Sequence, residues 1–573
     1  MLQPTVAKNT LTGNLITRRA LQRIMGVVAY LTAEIGLYSN LHTYSGGLGV
    51  LAGDHVKSAA DAGLPLVAVT LLYRQGYGRQ HLDADGIQSE TYPDLDPAEH
   101  LHETGLELSL PLDGRELFAK VWVSEVKGEG GHVVPVYFLD TKHEHNSAEH
   151  NHLGRRLYGG GDEIRIRQEY LLGVGGIRLL SLLSDDISGL HLNEGHCTFA
   201  MLEMLARGWS RDELKQRCLF TTHTPVPAGH DRFDWGLAKQ VIGDLLLEDS
   251  RELCIAAGDP EHGERLSMSH LAVALAGTIN AVSNLNAWVA SPMFSQRHIE
   301  PITNGVHHLT WTSPSFAQLF DKHLTGWRAD PTILSYAGRL PNDELIAAKS
   351  SARAVLRELV ESTTGVKFSE DRLTIGFARR FATYKRANLV FAELEKLRDF
   401  AAGRIQFVFA GKAHPKDEGG KALIKDIFAS AKDIADVIPV AFLEDYSMAT
   451  GLAMTAGVDI WLNNPIRPLE ASGTSGMKAA MNGTPNCSIL DGWWPEGCEH
   501  GVNGWAIGEG EDERDDARDS RNILKVLEHE VLTSWDEGEQ RWANLMRASI
   551  ATSARFTGAR MISDYKRFYD SFG

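Results

Sequence analysis

Along the whole chain, short apolar runs alternate with longer stretches of helical period. The runs "GVVAYLTAE", "GLPLVAVTLLY", "VVPVYFLD", "RCLFTTHTP", "RLTIGFARR", "RIQFVFAGK" and "VDIWLNN" are rich in β-branched and aromatic residues and often end in Gly, His or polar residues. They predict strands. The stretches between them predict amphipathic helices, among them "NDELIAAKSSARAVLRELVE", with Asn342 or Asp343 as the N-cap. Such alternation implies parallel sheets joined by crossover helices, an α/β class. Strand patterns thin out between residues 306 and 370 and then restart, which puts a domain boundary near 310–345 and two units at 1–320 and 321–573. Two doubly wound sheets would face each other, with ligands outside the carboxyl ends of their strands. At the end of the chain, Met561, Tyr565, Phe568 and Phe572 recur at helical spacing, which predicts a packing face.

Composition narrows the picture. With 573 residues, the chain exceeds what one core usually organises. A formal charge of −17 argues against nonspecific binding to nucleic acid or anionic membranes, but not against an anionic small substrate in a local basic pocket. No apolar run reaches signal-peptide or membrane-span length. The five cysteines form no CxxC pair and read as idle thiols in a reducing, cytoplasmic compartment. The histidine-rich "KHEHNSAEHNH" has mixed spacing and no second ligand cluster, so it reads as a solvated loop and no metal site is expected.

The candidate chemistry follows strands. In "YSGGLGVLAGDHVKSAADAG", Gly46, Gly47 and Gly49 precede a helical pattern, and a helix N-terminus offers free N–H groups to a phosphate. "GFARRFATYKRAN" crowds Arg379, Arg380, Lys385 and Arg386 together; a bound dianion would relieve their repulsion, and a solvated basic turn is the alternative. His196, with Glu194 two residues earlier, and His223 stand at strand ends, where they could bind sugar hydroxyls or relay a proton. Asn304 lies in a turn and could hydrogen-bond a polar ligand; Trp311 could stack on an aromatic cofactor or fill the domain junction. In "EASGTSGMKAAMNG", Glu470 is followed by small residues and Lys478, a lysine able to meet a phosphate or form a Schiff base. An aldehyde cofactor that also carries a phosphate, pyridoxal phosphate, answers both needs.

Together "YSGGLGVLAGDH", "HLNEGH", "TTHTPVPAG", "ITNG", "RRFATYKR" and "EASGTSGMKAAMNG" resemble the α-glucan phosphorylases, the glycogen and maltodextrin phosphorylase family, most closely its short bacterial branch. The resemblance spans residues 27 to 505. It implies a glycosyltransferase-B fold with the active site in the cleft, and reversible phosphorolysis of α-1,4-glucan or maltooligosaccharide by inorganic phosphate to glucose 1-phosphate, with retention of configuration. It implies pyridoxal phosphate on Lys478, whose phosphate group exchanges a proton with the substrate phosphate. By motif, Arg380 and Lys385 would hold the substrate phosphate. Arg379, Gly47, Thr474, Ser475, Trp311 and Tyr446 would surround the cofactor. Asn304, Glu470, Ser472, Gly473 and His223 would bind the transferred glucose, the His223 carbonyl facing developing positive charge. Glu194, His196 and Tyr384 would lie toward the acceptor. The family is commonly oligomeric. A nucleotide-sugar-dependent or phosphorylase-derived glycosyltransferase with a specialised oligosaccharide acceptor is the alternative on the same fold. The sequence departs from the large phosphorylases at Ser447, where they have arginine, and at Gly36, where they have tyrosine; allosteric control through an N-terminal regulatory segment is not expected. Arg467 is the expected substitute for the missing arginine, unless it pairs with a nearby carboxylate.

Overall fold

The computed structural model describes residues 26–184, 186–225, 229–295 and 297–572. The reading of the N-terminal segment falls on residues 1–25, outside the described residues.

Two sheets organise the chain. The first has nine strands in the order Glu300–Pro301, Thr278–Ala281, Cys218–Thr222, Ile187–Asn193, Val27–Thr32, Leu66–Leu71, Val133–Asp140, Arg115–Lys127 and His102–Leu112. Its first seven strands are parallel and the last two form antiparallel pairs at one edge. The second has six parallel strands, in the order Val440–Leu443, Ile405–Ala410, Leu373–Ala378, Ile460–Asn463, Asn486–Ile489 and Gly504–Ile507. All seven strands predicted from the apolar runs are present. Strands such as "VVAYLT" and "LTIGFA" are buried throughout, because helices cover both faces of a parallel sheet.

Among the parallel strands, chain order reverses once in each sheet: between Val27–Thr32 and Ile187–Asn193, and between Leu373–Ala378 and Ile460–Asn463. At such a reversal the two connections leave to opposite faces and open a crevice at the strands' carboxyl ends. The residues after those four strands are therefore placed by topology to meet a ligand.

No strand lies between 302 and 372, where helices and turns fill the gap. Helix Pro314–His323 packs against helix Asn342–Thr364 and joins the core of the second unit through Phe316, Leu319 and Phe320. The helix predicted from 342 runs Asn342–Thr364, but its N-cap is Pro341 and no side chain caps it, which corrects the expected Asn342 or Asp343 cap. The last helix, Gly558–Tyr569, buries Met561, Ile562 and Tyr565 against Val28, Tyr30 and Val56 of the first unit. Tyr569 Oη sits 2.9 Å from His55 Nε2 and 2.6 Å from His191 Nδ1. A second tie comes from the hairpin Arg79–Leu82 and Gln88–Thr91, whose Gln80 and Gln88 amides donate to the carbonyls of Gly411 and Ala413.

The histidine-rich segment is a solvated loop only in part: Lys142, Glu144, His145 and His152 are exposed, whereas Ala148–Leu153 is helical. His143 and His150 are buried, His143 stacks on Phe118 with centroids 5.2 Å apart, and the Asn146 amide donates to two carbonyls. Four of the five cysteines are buried and all are free. Among the described residues no helix is long and apolar enough to cross a membrane.

Candidate active site

The two crevices open onto one cavity of about 590 Å3, lined from both units. From the second unit come Arg379 and Arg380, directly after Leu373–Ala378, then Tyr384 and Lys385, and the segment 469–475 beyond Ile460–Asn463. The first unit supplies Glu34, Gly46, Gly47, Glu194, His196, His223, Asp231 and Asn304. Lys478, Trp311 and Tyr446 also line it.

Glu470 is the electrostatic centre of the second wall. One oxygen, Oε2, is shared by Arg379 Nη2 at 2.5 Å and by Lys385 Nζ. Burial pushes this carboxyl up, but Arg379 and Lys385 overcome that and hold it at about 2. Behind it, Asp491 accepts the Glu470 N–H at 3.0 Å; burial and the Glu470 charge push Asp491 up to about 7. Gly473 turns the chain with φ +79°, where a side chain is strained and a Cβ would stand 3.3 Å from Glu470 Cγ. Arg380 opens into the cavity, and among the described residues its guanidinium has no hydrogen bond or ion pair. It is the free cation of the cluster.

Opposite, helix Gly47–Asp61 begins at the cavity without a side-chain cap. A Cβ on Gly46 or Gly47 would meet nothing within 4 Å, so the helix N-terminus faces open space able to take an anion. Gly36 has a packing reason: its N–H donates to Gly49 O at 2.7 Å, and a Cβ on it would stand 3.2 Å from Val50 Cα and 3.3 Å from Met448 Sδ. Ser447 caps helix Met448–Gly457 by accepting the Thr450 N–H, so its departure from the family pattern serves the helix start.

Lys478 lies on helix Ser475–Met481, buried, with Nζ 3.7 Å from the centre of the Trp311 ring. Asn482 fixes the two backbones together, its amide donating to Trp311 O at 2.6 Å and Lys478 O at 2.9 Å. Burial lowers the lysine to about 8, with Asp54 raising it and Lys57 lowering it.

On the first wall, Glu194 has φ +78° and ψ 169°, a region otherwise left to glycine and costing about 1–3 kcal/mol. Its Oε2 accepts the backbone N–H groups of His223 at 2.8 Å and Thr224 at 3.2 Å, which fixes where the His223 carbonyl points. His223 Nε2 donates to Asn193 Oδ1 at 2.6 Å, and burial lowers this histidine to about 4, so it is neutral at pH 7. His196 Nε2 meets Asp231 Oδ2 at 3.2 Å. Asn304 Oδ1 and Ser472 Oγ are buried without a partner among the described residues, as acceptors waiting for ligand hydroxyls would be. Residues 226–228 of "TTHTPVPAG" lie outside the described residues.

The site residues expected from the sequence line this cavity except Gly49, Arg467 and Arg386, the last of the cation cluster, which turns instead to Asp516 at 2.9 Å and Asp519 at 2.8 Å. Arg467 binds Asp512 through Nε at 2.7 Å and Leu490 O through Nη1 at 2.6 Å. The expectation that it replaces the missing arginine is corrected; it is the carboxylate pair that was its alternative. Sequence reasoning passed over Glu34, which accepts the Ser45 N–H and the Tyr158 hydroxyl, and Arg165 with Asp231. Glu34 follows a strand and carried the signal of position; Tyr158 and Arg165 come from a turn and a helix and carried none.

A family model described as carbohydrate phosphorylase matches residues 234–497. The chain is 38% identical to a maltodextrin phosphorylase of Thermococcus litoralis, over 95% of this chain and 70% of that one. It is 35% identical to a glycogen phosphorylase of Mycobacterium tuberculosis, over 96% and 71%, and 34% identical to one of Aquifex aeolicus, over 95% and 86%.

Proposed function

Since the chain belongs to the carbohydrate phosphorylase family, we propose that it is a pyridoxal-phosphate-dependent α-glucan phosphorylase, a glycosyltransferase that splits terminal glucose from an α-1,4-glucan or maltooligosaccharide with inorganic phosphate. The observation that carries this reading is the meeting in one cavity of a buried lysine on an indole face, an unpaired arginine, a Glu470-bridged cation pair and an open helix N-terminus.

The residues fit the cofactor. Lys478 would supply the amine, Trp311, on whose ring it rests, and Tyr446 would border the cofactor, and Thr474, Ser475, Gly47 and Arg379 would supply donors for its phosphate group. When bound, the cofactor supplies acid–base chemistry through that phosphate. Arg380 and Lys385 attract and orient the substrate phosphate, and their charges stabilise it as it gains negative character. Glu470 spreads Arg379 and Lys385 around one oxygen, so neither cation swings away from the cavity. Asn304, Ser472, Gly473 and Glu470 would take the hydroxyls of the transferred glucose. The His223 carbonyl, set by Glu194, would face positive charge developing at the sugar ring. Tyr384, His196, Glu194 and Asp231 lie where the acceptor sugars would extend.

Borohydride treatment of the purified protein tests this. It should fix a pyridoxyl label on Lys478 and remove the visible absorbance. A colourless protein with no labelled lysine would favour the nucleotide-sugar transferase.

A further inference from the structure

Helix Gly47–Asp61, whose first turn faces the cavity, carries further along a buried carboxylate, Asp54, and a half-buried lysine, Lys57, that none of the roles above uses. Asp54 is fully buried and accepts the Trp311 indole N–H with both oxygens, at 3.0 and 2.8 Å. Lys57, one turn on, donates to Thr310 Oγ1 at 3.2 Å. The other face of this arrangement is the Lys478 amine, resting on the same Trp311 ring.

We propose that Asp54, fixed by Trp311 at the edge of the ring on which the Lys478 amine rests, is a positioning residue that sets how readily this lysine captures an aldehyde. The inference rests on the reading of Lys478 as the cofactor lysine. A buried carboxylate costs several kcal/mol unless its charge is answered. Burial raises the Asp54 carboxyl, and the Lys478, Lys57 and His307 charges and the one indole N–H, shared by both its oxygens, oppose that only in part. Asp54 interacts with Lys478, Lys57 and His307, and Lys478 feels Asp54 and Lys57 with opposite sign. Asp54 favours the ammonium form of Lys478; Lys57 and burial favour the neutral amine. Capture needs the neutral amine: its nitrogen adds to the aldehyde carbon, a C=N bond forms, and the aldehyde oxygen leaves as water. With the two influences opposed, the lysine is poised near pH 8 rather than locked in either form.

The test uses the full-length protein stripped of cofactor, incubated with pyridoxal 5′-phosphate across a pH series, quenched with borohydride and read as label on Lys478 by peptide mass. Asp54→Asn should move the midpoint of capture down by about one pH unit or more, the effect of removing an opposite charge. Lys57→Met should move it up. Loosening alone would let water reach Lys478 and raise the midpoint in both variants, so the opposite signs separate charge from packing. If Asp54→Asn does not fold, Trp311→Phe keeps a ring but removes an N–H that favours the ionised form of Asp54, and it should also lower the midpoint. An unchanged or raised midpoint in the variant that folds overturns the inference while the cofactor reading stands. A parent protein that takes no label at any pH overturns both.

Discussion

Arg379 Nη2 stands 2.5 Å from Glu470 Oε2, joining the turns that follow two neighbouring strands at the reversal of the second sheet. Lys385 meets the same oxygen, so one carboxylate holds two cations next to a third, Arg380, that is left free. Removing Glu470 leaves two buried cations uncompensated. Glu470→Ala should cost about 3–5 kcal/mol of stability, and millimolar phosphate should restore more of its melting temperature than it adds to the parent, because an anion bound only by the folded state stabilises it. Equal phosphate shifts in both proteins would contradict this.

The same triad carries a pH signature. Glu470 is held at about 2, below its ordinary 4.5. A depressed carboxyl gives stability that is full above pH 4.5 and lost as pH falls through about 2. Acid unfolding of the parent should therefore be steeper in that window than that of Glu470→Gln.

Asp491 has the opposite sign. Burial first, then the Glu470 charge, raise it from 3.8 to about 7. Between those values the folded state holds a proton that the unfolded state has lost, so stability falls as pH rises, by up to about 1.4 kcal/mol per unit. The loss is complete above pH 7. Asp491→Asn should be level with the parent near pH 4 and gain on it steadily toward pH 7, as read by denaturant titrations at stepped pH.

Arg380 is predicted to be the phosphate anchor. A hydrogen bond to a charged group contributes about 1.5–3 kcal/mol, and loss of a donor to transition-state charge costs about 10²–10³ in rate. Arg380→Ala should raise the phosphate requirement and lower turnover in both directions. An unchanged phosphate dependence would remove it from the site.

Arg467→Ala should leave cofactor retention on dialysis unchanged. Its pair with the half-exposed Asp512 is worth less than about 1 kcal/mol. Faster loss of cofactor would restore the role that the structure withdraws.

What could be read in the sequence follows from local physics. Strands such as Leu373–Ala378 are continuous buried runs, and their ends mark a crevice, so Arg379, Arg380 and His223 were legible as strand-end residues. Lys478 was legible by motif. Arg467 misled because it shares the position of a strand-end residue, and only the fold brings Asp512 and Leu490 O to it across 45 and 23 residues. Asp54 stood in a quoted motif but in mid-helix, where nothing local tells that residue 311 will dock an indole on it. The Ser447 and Gly36 departures were visible; the reason for Ser447, a cap on the Thr450 N–H, is local, whereas that for Gly36, a backbone contact with Gly49, appears only in the fold.

The most direct measurement is formation of α-glucose 1-phosphate from maltooligosaccharide and inorganic phosphate, with the protein first stripped of cofactor and then reloaded with pyridoxal 5′-phosphate. The account predicts no product from the stripped protein, product on reloading, and none from Lys478→Ala under the same treatment. Turnover by the stripped protein equal to that of the reloaded one, or no product from reloaded parent across primers from maltose to glycogen, would contradict it.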